Sequence, residues 1–152
     1  MEEKKQQLSV DEQESIAQAV LQLVRTYPHF PKTITAKKIL MDDLKDAEDI
    51  GIFPISGAVI LKKYVSGSFE AQFPFVIDYK CAPTTNDAFI KKRAVLDDLA
   101  KWLSVADYPA LSDCRSIKSI ERTTTTASAG KTPDGNSVLR CSFTLKYFKK
   151  RS

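Results

Sequence analysis

The chain has 152 residues and a mass of 17.0 kDa, a length typical of one domain. Hydrophobic residues make up 43% and charged residues 28% of it, which favours a globular core over disorder. The net charge of +4 is uneven: residues 1–114 carry 14 basic and 17 acidic side chains, and residues 115–152 carry 9 and 2. No apolar run reaches the roughly 18 residues of a membrane-spanning helix. The charged N-terminus lacks the apolar stretch of a signal peptide. We therefore expect the protein to assemble in the cytosol and not to associate with a membrane.

The first predicted element is an amphipathic helix that begins after Ser9. Ser9 and Glu12 form a capping box, in which the Ser9 hydroxyl accepts from the Glu12 amide and the Glu12 side chain reaches back to Ser9. Pro28 ends the helical pattern, and His29 follows in a proline-rich connection. The apolar stripe comprises Ile16, Val20, Leu23, Val24 and Tyr27.

A short β-prone stretch, Thr33–Leu40, is followed by an acidic segment at residues 42–49. This segment has neither the glycine nor the terminal glutamate of a calcium loop, and Lys45 lies within it. We therefore interpret it as a solvated loop or short helix. Its carboxylates are Asp42, Asp43, Asp46, Glu48 and Asp49.

The next segment carries a β pattern. Ala58–Val65 and Phe69–Lys80 flank a Ser66–Gly67 turn, which predicts a hairpin. Pro74 cannot donate a ladder hydrogen bond, so we predict that its strand lies at an edge or carries a bulge there. Alternation places Phe69, Ala71, Phe73, Phe75, Ile77 and Tyr79 on the buried face, and Glu70, Gln72, Pro74, Val76, Asp78 and Lys80 on the other.

A second helix follows the hairpin. Thr85 or Asn86 caps it, and Asp87 suits the positive end of its dipole. Trp102 flanks the apolar stripe and is interpreted as a core anchor. The stripe comprises Ala88, Phe89, Lys92, Leu96, Leu99 and Leu103.

The last third predicts two long strands, Ser116–Thr126 and Val138–Phe148. The polar segment Ala127–Ser137 joins them, and it is longer than the usual 2–5 residues of a hairpin loop. Because it has little apolar surface to bury, we expect it to be mobile in the free protein. It is either a dispensable surface loop or the place where function resides, ordered on contact with a partner.

The order of these elements indicates an α+β fold, in which an antiparallel or mixed sheet carries two α-helices on one face and ends in a long C-terminal β-hairpin. We expect one domain at residues 9–149, with a disordered tail at 1–8 and a short tail at 150–152. One core between sheet and helices is expected to bury Phe73, Phe75, Leu99, Trp102, Phe143 and Leu145.

No catalytic, metal or cofactor site is predicted. The chain has one histidine, and its three cysteines, Cys81, Cys114 and Cys141, are far apart and odd in number. They lack the close pairing of zinc ligands, so we interpret them as reduced small hydrophobic residues. A Cys–His nucleophile pair is not excluded by sequence distance, but nothing marks one cysteine as activated. The glycines form no phosphate-binding loop, so we predict that the chain is not an enzyme.

The basic C-terminal third suggests a nucleic-acid surface, a contact with an acidic protein, or a solubilising face. Aromatic residues do not alternate with the basic ones, and no known binding motif is present. These two absences disfavour nucleic acid as a partner.

Three stretches resemble the tail terminator family of long-tailed bacteriophages, which includes minor capsid proteins encoded beside head–tail connector genes in prophages of Gram-positive bacteria. They are Gly51–Gly57, Lys63–Phe75 and the helix around Ala94–Leu103, within a similarity that spans about residues 10–148. None of these motifs is catalytic, and together they mark a fold.

The resemblance implies a virion protein at the tail–head junction. Its subunits would form a ring, typically of six, on the last ring of tail-tube protein, end tube polymerisation and offer a surface to the neck of the filled head. A head-completion or neck protein on the portal side is the alternative within phage biology. A nucleic-acid-binding module that uses the basic third is the alternative from another class.

The residues expected at the protein interface are polar and lie in the C-terminal hairpin. We expect cationic contacts from its tip and flanks, with no cofactor or metal. The expected interface residues are Arg122, Lys131, Asp134, Asn136, Arg140 and Lys146.

Overall fold

The structure, a computed structural model, describes residues 6–31, 34, 39–42, 44, 48–81, 86–106, 108, 111, 114–133 and 135–150. The predicted α+β class is confirmed, with two helices on one side of a seven-stranded sheet. The helices are α1 (Val10–Arg25) and α2 (Asn86–Val105). The strands are β1 (Leu40–Met41), β2 (Asp49–Pro54), β3 (Val59–Lys63), β4 (Phe69–Cys81), β5 (Arg115–Arg122), β6 (Ala127–Lys131) and β7 (Ser137–Lys149).

Two long antiparallel strands, β4 and β7, form the centre of the sheet, and Phe69 lies opposite Lys149 at one end of the pair and Cys81 opposite Ser137 at the other. Beyond β4, β2 pairs with its C-terminal half and β3 with its N-terminal end. On the other side of β7, β6 pairs with the N-terminal end of β7 and β5 with its C-terminal half. β1 extends the sheet parallel to β2. The sheet is therefore mixed, and its outer strands are short.

The prediction that Pro74 lies on an edge strand or at a bulge is wrong in both alternatives. β4 has paired neighbours on both sides, and its register with β7 runs without a shift through the pair of Pro74 and Thr144. Pro74 lies where β2 has ended and β3 has not begun, and its carbonyl accepts from the Ile55 amide of the connection between them at 3.2 Å. The amide nitrogen and carbonyl of one strand residue point to the same side. The missing donor of Pro74 therefore faces this break in the ladder, so the proline costs no bond to β7.

The helix-facing side of the sheet carries the core. Five of the six predicted core residues are buried, and Trp102 is half-buried against the same cluster. Phe75 and Phe143 stack at 5.3 Å between ring centroids, as directly opposite residues of β4 and β7 do. The helices contribute Ile16, Val20, Leu23, Val24 and Tyr27 from α1, and Leu96, Leu99 and Leu103 from α2.

The N-terminal end of α1 is tied to the sheet by a buried ionic cluster. The Ser9 hydroxyl accepts from the Glu12 amide at 3.2 Å, as predicted. The Glu12 carboxylate, however, accepts from Arg115 Nε and Nη2 at 2.8 and 2.6 Å, from the Tyr147 hydroxyl at 2.9 Å, and from Lys149 Nζ at 3.3 Å. Glu12 is therefore an anchor between α1, β5 and β7.

The expectation of a disordered tail at residues 1–8 is wrong for its last three residues. The Leu8 amide donates to the Ala58 carbonyl at 3.0 Å, and the Ile60 amide donates to the Gln6 carbonyl at 2.8 Å. Leu8 is buried in the core. Residues 6–8 thus pair with the free edge of β3, and residues 1–5 lie outside the described part of the chain.

The acidic segment is only partly described, and Asp43 and Asp46 fall outside the described residues. Asp49 is not solvated: it begins β2 and is buried. Glu48 pairs with Lys92 of α2 at 2.5 Å. Two carboxylates of this segment, Glu48 and Asp49, are therefore part of the packed structure and not of a solvated loop.

Candidate interaction surface

The C-terminal hairpin contains an additional strand where a long loop was expected. Residues Ala127–Lys131 form β6 and pair with Ser137–Arg140 of β7. The connection narrows to residues 132–136, where the Thr132 amide donates to the Asn136 carbonyl at 2.8 Å. Gly130 adopts φ +103°, a conformation that glycine reaches without strain, at an irregularity in the pairing. The prediction of a structureless segment at residues 127–137 is therefore wrong.

The side chains of β6 all point into solvent or lie open to it. Each of its five residues is exposed, and its largest side chain is that of Lys131. In the described part of the sheet, β6 and β5 occupy the rim beyond β7. β6 therefore presents an open edge with small side chains, while adding nothing to the core.

The base of this extension is fixed to α2. Arg122 Nη2 donates to Asp97 Oδ1 at 2.6 Å, and the Thr126 hydroxyl donates to the same oxygen at 2.7 Å. Partial desolvation raises the pKa of Asp97, but the hydrogen bonds from Thr126 and Arg122 outweigh it and hold that pKa below its usual value. Arg122 also donates to the Thr124 carbonyl at 2.8 Å. Arg122 is therefore engaged within the chain.

Arg140 is also held inside the subunit. Its guanidinium donates twice to Asp78, from Nε to Oδ1 at 2.7 Å and from Nη2 to Oδ2 at 2.9 Å. The Asp78 side chain is 6% exposed and that of Arg140 is 49% exposed. Arg140 therefore neutralises a buried carboxylate, and half of its surface stays accessible.

The side of the sheet that faces away from the helices is named the outer face. It carries the residues of β4 that the alternation placed opposite the buried face and that we expected to be exposed to solvent. Three of them, Val76, Asp78 and Lys80, are nevertheless buried. The other half of the outer face, around Glu70 and Gln72, is only partly covered. The outer face thus has a closed half beside β2 and β6, and an accessible half beside β3 and β5.

The accessible half carries a group that we name the lysine–aromatic patch. The Tyr64 and Phe148 rings meet edge to face at 6.0 Å, and the Lys62 ammonium lies 5.0 Å from the centre of the Tyr64 ring. Lys118 donates to Glu70, and this hydrogen bond lowers the pKa of Glu70 and raises that of Lys118. The patch comprises Lys62, Tyr64, Lys118, Lys146 and Phe148.

The six residues expected at an interface do not form one site. Lys131 and Asn136 lie at the β6–β7 turn, where Asn136 is buried and Lys131 exposed, and Asp134 lies outside the described residues. Lys146 is nine positions along β7 from Ser137, about 30 Å away at the rise of an extended strand. The structure therefore separates a tip region from a patch at the other end of the sheet.

Two of the three cysteines are buried in the described part of the chain. Burial raises the pKa of both Cys81 and Cys141 above the usual thiol value, which opposes thiolate formation. Across the described ranges, no group of three or more His, Cys, Asp and Glu side chains is arranged to hold a metal ion. No helix among those residues is long and apolar enough to cross a membrane.

Sequence reasoning missed the lysine–aromatic patch because its members come from three separate strands and a turn. Tyr64 and Phe148 are 84 positions apart in the chain and meet through the pairing of β4 with β3 and β7. The alternation of β4 and β7 puts Glu70, Lys146 and Phe148 on the outer face, which is a signal for part of the patch, but the pairing of Glu70 with Phe148 follows from the register of the two strands. No protein-family model and no curated protein matches this chain.

Proposed function

We propose that this chain is a structural virion protein, without enzymatic activity, that assembles into a ring on the end of a bacteriophage tail tube. The ring, typically of six subunits, ends polymerisation of the tube protein and provides the surface that joins the head. The resemblance of Gly51–Gly57, Lys63–Phe75 and the helix around Ala94–Leu103 to tail terminators supports this proposal.

The observation that carries the proposal is β6. Five consecutive exposed residues in a paired strand add nothing to the core, yet Arg122, Asp97 and Thr126 hold the base of the strand in place. An open strand edge invites pairing with another chain, and monomeric proteins normally cover or block it. An open edge that is anchored at its base is therefore suited to a contact between neighbouring subunits.

Charge supports a head-to-tail contact of the kind that closes a ring. The solvent side of α1 carries exposed Asp11 and Glu14. The outer face, on the opposite side of the sheet from α1, carries exposed Lys118 and Lys146. An acidic patch on α1 and a basic patch on the opposite side of the sheet favour heterologous association over a two-fold dimer.

The test blocks the open edge without disturbing the fold. In the edge variant, Ser128→Lys and Ala129→Lys place two charges on exposed positions of β6. In the matched control, Ala94→Lys and Val105→Lys add the same charge to exposed positions of α2. Sedimentation velocity measures ring formation, and electron microscopy of tubes built from the tail-tube protein of the same phage measures capping.

We expect the control to form rings and cap tubes like the natural chain, and the edge variant to do neither. Rings and capping that survive in the edge variant would refute a role for β6. If the natural chain does not bind tail tubes but binds the portal side of a filled head, the proposal of a tail terminator is wrong and that of a head-completion or neck protein replaces it.

A further inference from the structure

We propose that the lysine–aromatic patch binds single-stranded nucleic acid on the outer face of the sheet. This inference goes beyond the proposed ring and concerns the free chain, because the ring contact proposed above also draws on Lys118 and Lys146. Single strands are bound without sequence preference when lysines or arginines track the phosphates and aromatic rings stack with the bases. The sequence lacks alternating basic and aromatic residues, but the fold brings both types together on one accessible surface.

The patch extends across four strands. Lys62 of β3 pairs with Glu70 of β4, which lies opposite Phe148 of β7, and Phe148 lies opposite Ser116 of β5. With neighbouring strands 4.7–4.9 Å apart, this row is about 14 Å wide. Lys146 lies on β7 two residues before Phe148, about 7 Å further along the sheet. The surface is therefore wide enough for several nucleotides.

Two rings supply the stacking positions. Tyr64 is 36% exposed at the start of the β3–β4 turn, and Phe148 is half-buried beside it. Their edge-to-face contact holds the Tyr64 ring against the sheet, where Lys62 contacts its face. Lys62 occupies one face of the ring, so a base would stack on the other face and place its phosphate within reach of an ammonium group of the patch.

The charge of the patch is positive after its internal pairing is counted. Lys62 and Lys118 lie near the Glu70 carboxylate, and exposed Glu121 of β5 lies opposite Thr144, two residues before Lys146. Among the described residues, the three ammonium groups of the patch are therefore set against two carboxylates. The Lys118 side chain is still 52% exposed, so it is accessible to a phosphate. Exposed Lys63 and Lys150 lie at the same end of the sheet. An excess of cations beside exposed aromatic rings favours a nucleic acid, whose phosphates are anionic and whose bases can stack, over a protein rich in carboxylates.

Fluorescence anisotropy with a labelled dT12 oligonucleotide tests this proposal in the full chain. We expect binding at 50 mM KCl, with an affinity that falls with salt at a logarithmic slope of about −2, as three phosphate contacts to a single strand predict. The patch variant Lys62→Gln/Lys118→Gln/Lys146→Gln should bind more than tenfold more weakly and lose most of this slope. Tyr64→Ala should lose at least about fivefold, the lower bound for one stacked base.

A matched control distinguishes the patch from general positive charge. Lys91→Gln/Arg93→Gln/Lys101→Gln removes three exposed cations from α2 and leaves the same net charge as the patch variant. It should bind dT12 within twofold of the natural chain, and circular dichroism should show native folding for every variant. Equal weakening by the control, or unchanged binding by Tyr64→Ala, would overturn the proposal. So would displacement of dT12 by a glutamate dodecapeptide at equal charge, which would identify an acidic protein as the ligand.

Discussion

The buried carboxylate of Glu12 makes the clearest prediction about stability. Glu12→Gln keeps the shape of the side chain and removes its charge. The substitution removes the Glu12 charge that pairs with Arg115, whose side chain is 5% exposed. Breaking a buried ion pair from one side is costly, so we expect a large loss of stability from a change that removes few atoms.

The magnitude follows from the pKa. Burial raises the pKa of Glu12, but hydrogen bonds from Arg115 and Tyr147 and the charges of Arg115 and Lys149 outweigh it, and the pKa falls from 4.5 to about 2. A difference of about 2.5 pKa units between the unfolded and folded states corresponds to about 3 kcal/mol of stability. Because the folded pKa is the lower one, this contribution is fully present above about pH 5 and is lost as the pH falls towards 2.

Urea unfolding at pH 7 and at pH 3 measures this contribution. At pH 7 we expect Glu12→Gln to lower the free energy of unfolding by about 3 kcal/mol. At pH 3 the decrease should be less than half of that, because the ionised Glu12 carboxylate then contributes less to the stability of the natural chain. Glu14→Gln is the control, because Glu14 lies exposed on the same helix and should change stability by less than about 0.5 kcal/mol. A loss below about 1 kcal/mol at pH 7, or an equal loss at both pH values, would refute the reasoning.

Three further substitutions test the packing and the ion pairs by urea unfolding at pH 7. Phe143→Ala removes a ring that is 1% exposed and stacked on Phe75, and it should cost about 3–5 kcal/mol; a cost below about 1 kcal/mol would mean that this face of β7 is not in the core. Arg140→Gln leaves the buried Asp78 carboxylate without its paired donors and should cost about 2 kcal/mol, whereas Lys146→Gln on the same strand should cost less than about 0.5 kcal/mol; equal effects would contradict the pairing. Tyr27→Phe removes the hydroxyl that donates to Asp98 and should cost about 1 kcal/mol, with no loss if that bond does not form.

The two-residue alternation of β4 and β7 was the most informative sequence pattern. It identified the face that packs on the helices, since Phe73, Phe75, Phe143 and Leu145 are all buried. Side chains of a strand must alternate between two faces, so a run of aromatic residues at every second position leaves little freedom. The helical stripe of α1 was predicted correctly for the corresponding reason.

The position of each strand in the sheet was less accessible to sequence reasoning. Pro74 is typical of an edge, and the inference failed because the ladder beside it is divided between β2 and β3. β6 was missed because Ser128, Ala129 and Gly130 have low β propensity. The long-range pairing with β7 overrides that propensity, and local composition does not record such pairing.

Much of the uneven charge of the sequence is neutralised by ion pairs within the fold. In the described part of the C-terminal third, basic residues pair with carboxylates from the first 114 residues: Arg115 and Lys149 with Glu12, Lys118 with Glu70, Arg122 with Asp97, and Arg140 with Asp78.

The acidic N-terminal part and the basic C-terminal part are therefore complementary within one subunit, and the pairs join β5 and β7 to α1, α2 and β4. A count of charges along the chain overstates the basic surface that a partner meets. Among the described residues, the exposed cations of this third outside those pairs are Lys131 at the tip, Lys146 in the lysine–aromatic patch, and Lys150 directly after β7. A contact that relies on the charge of this C-terminal third should accordingly be concentrated at the two opposite ends of β7.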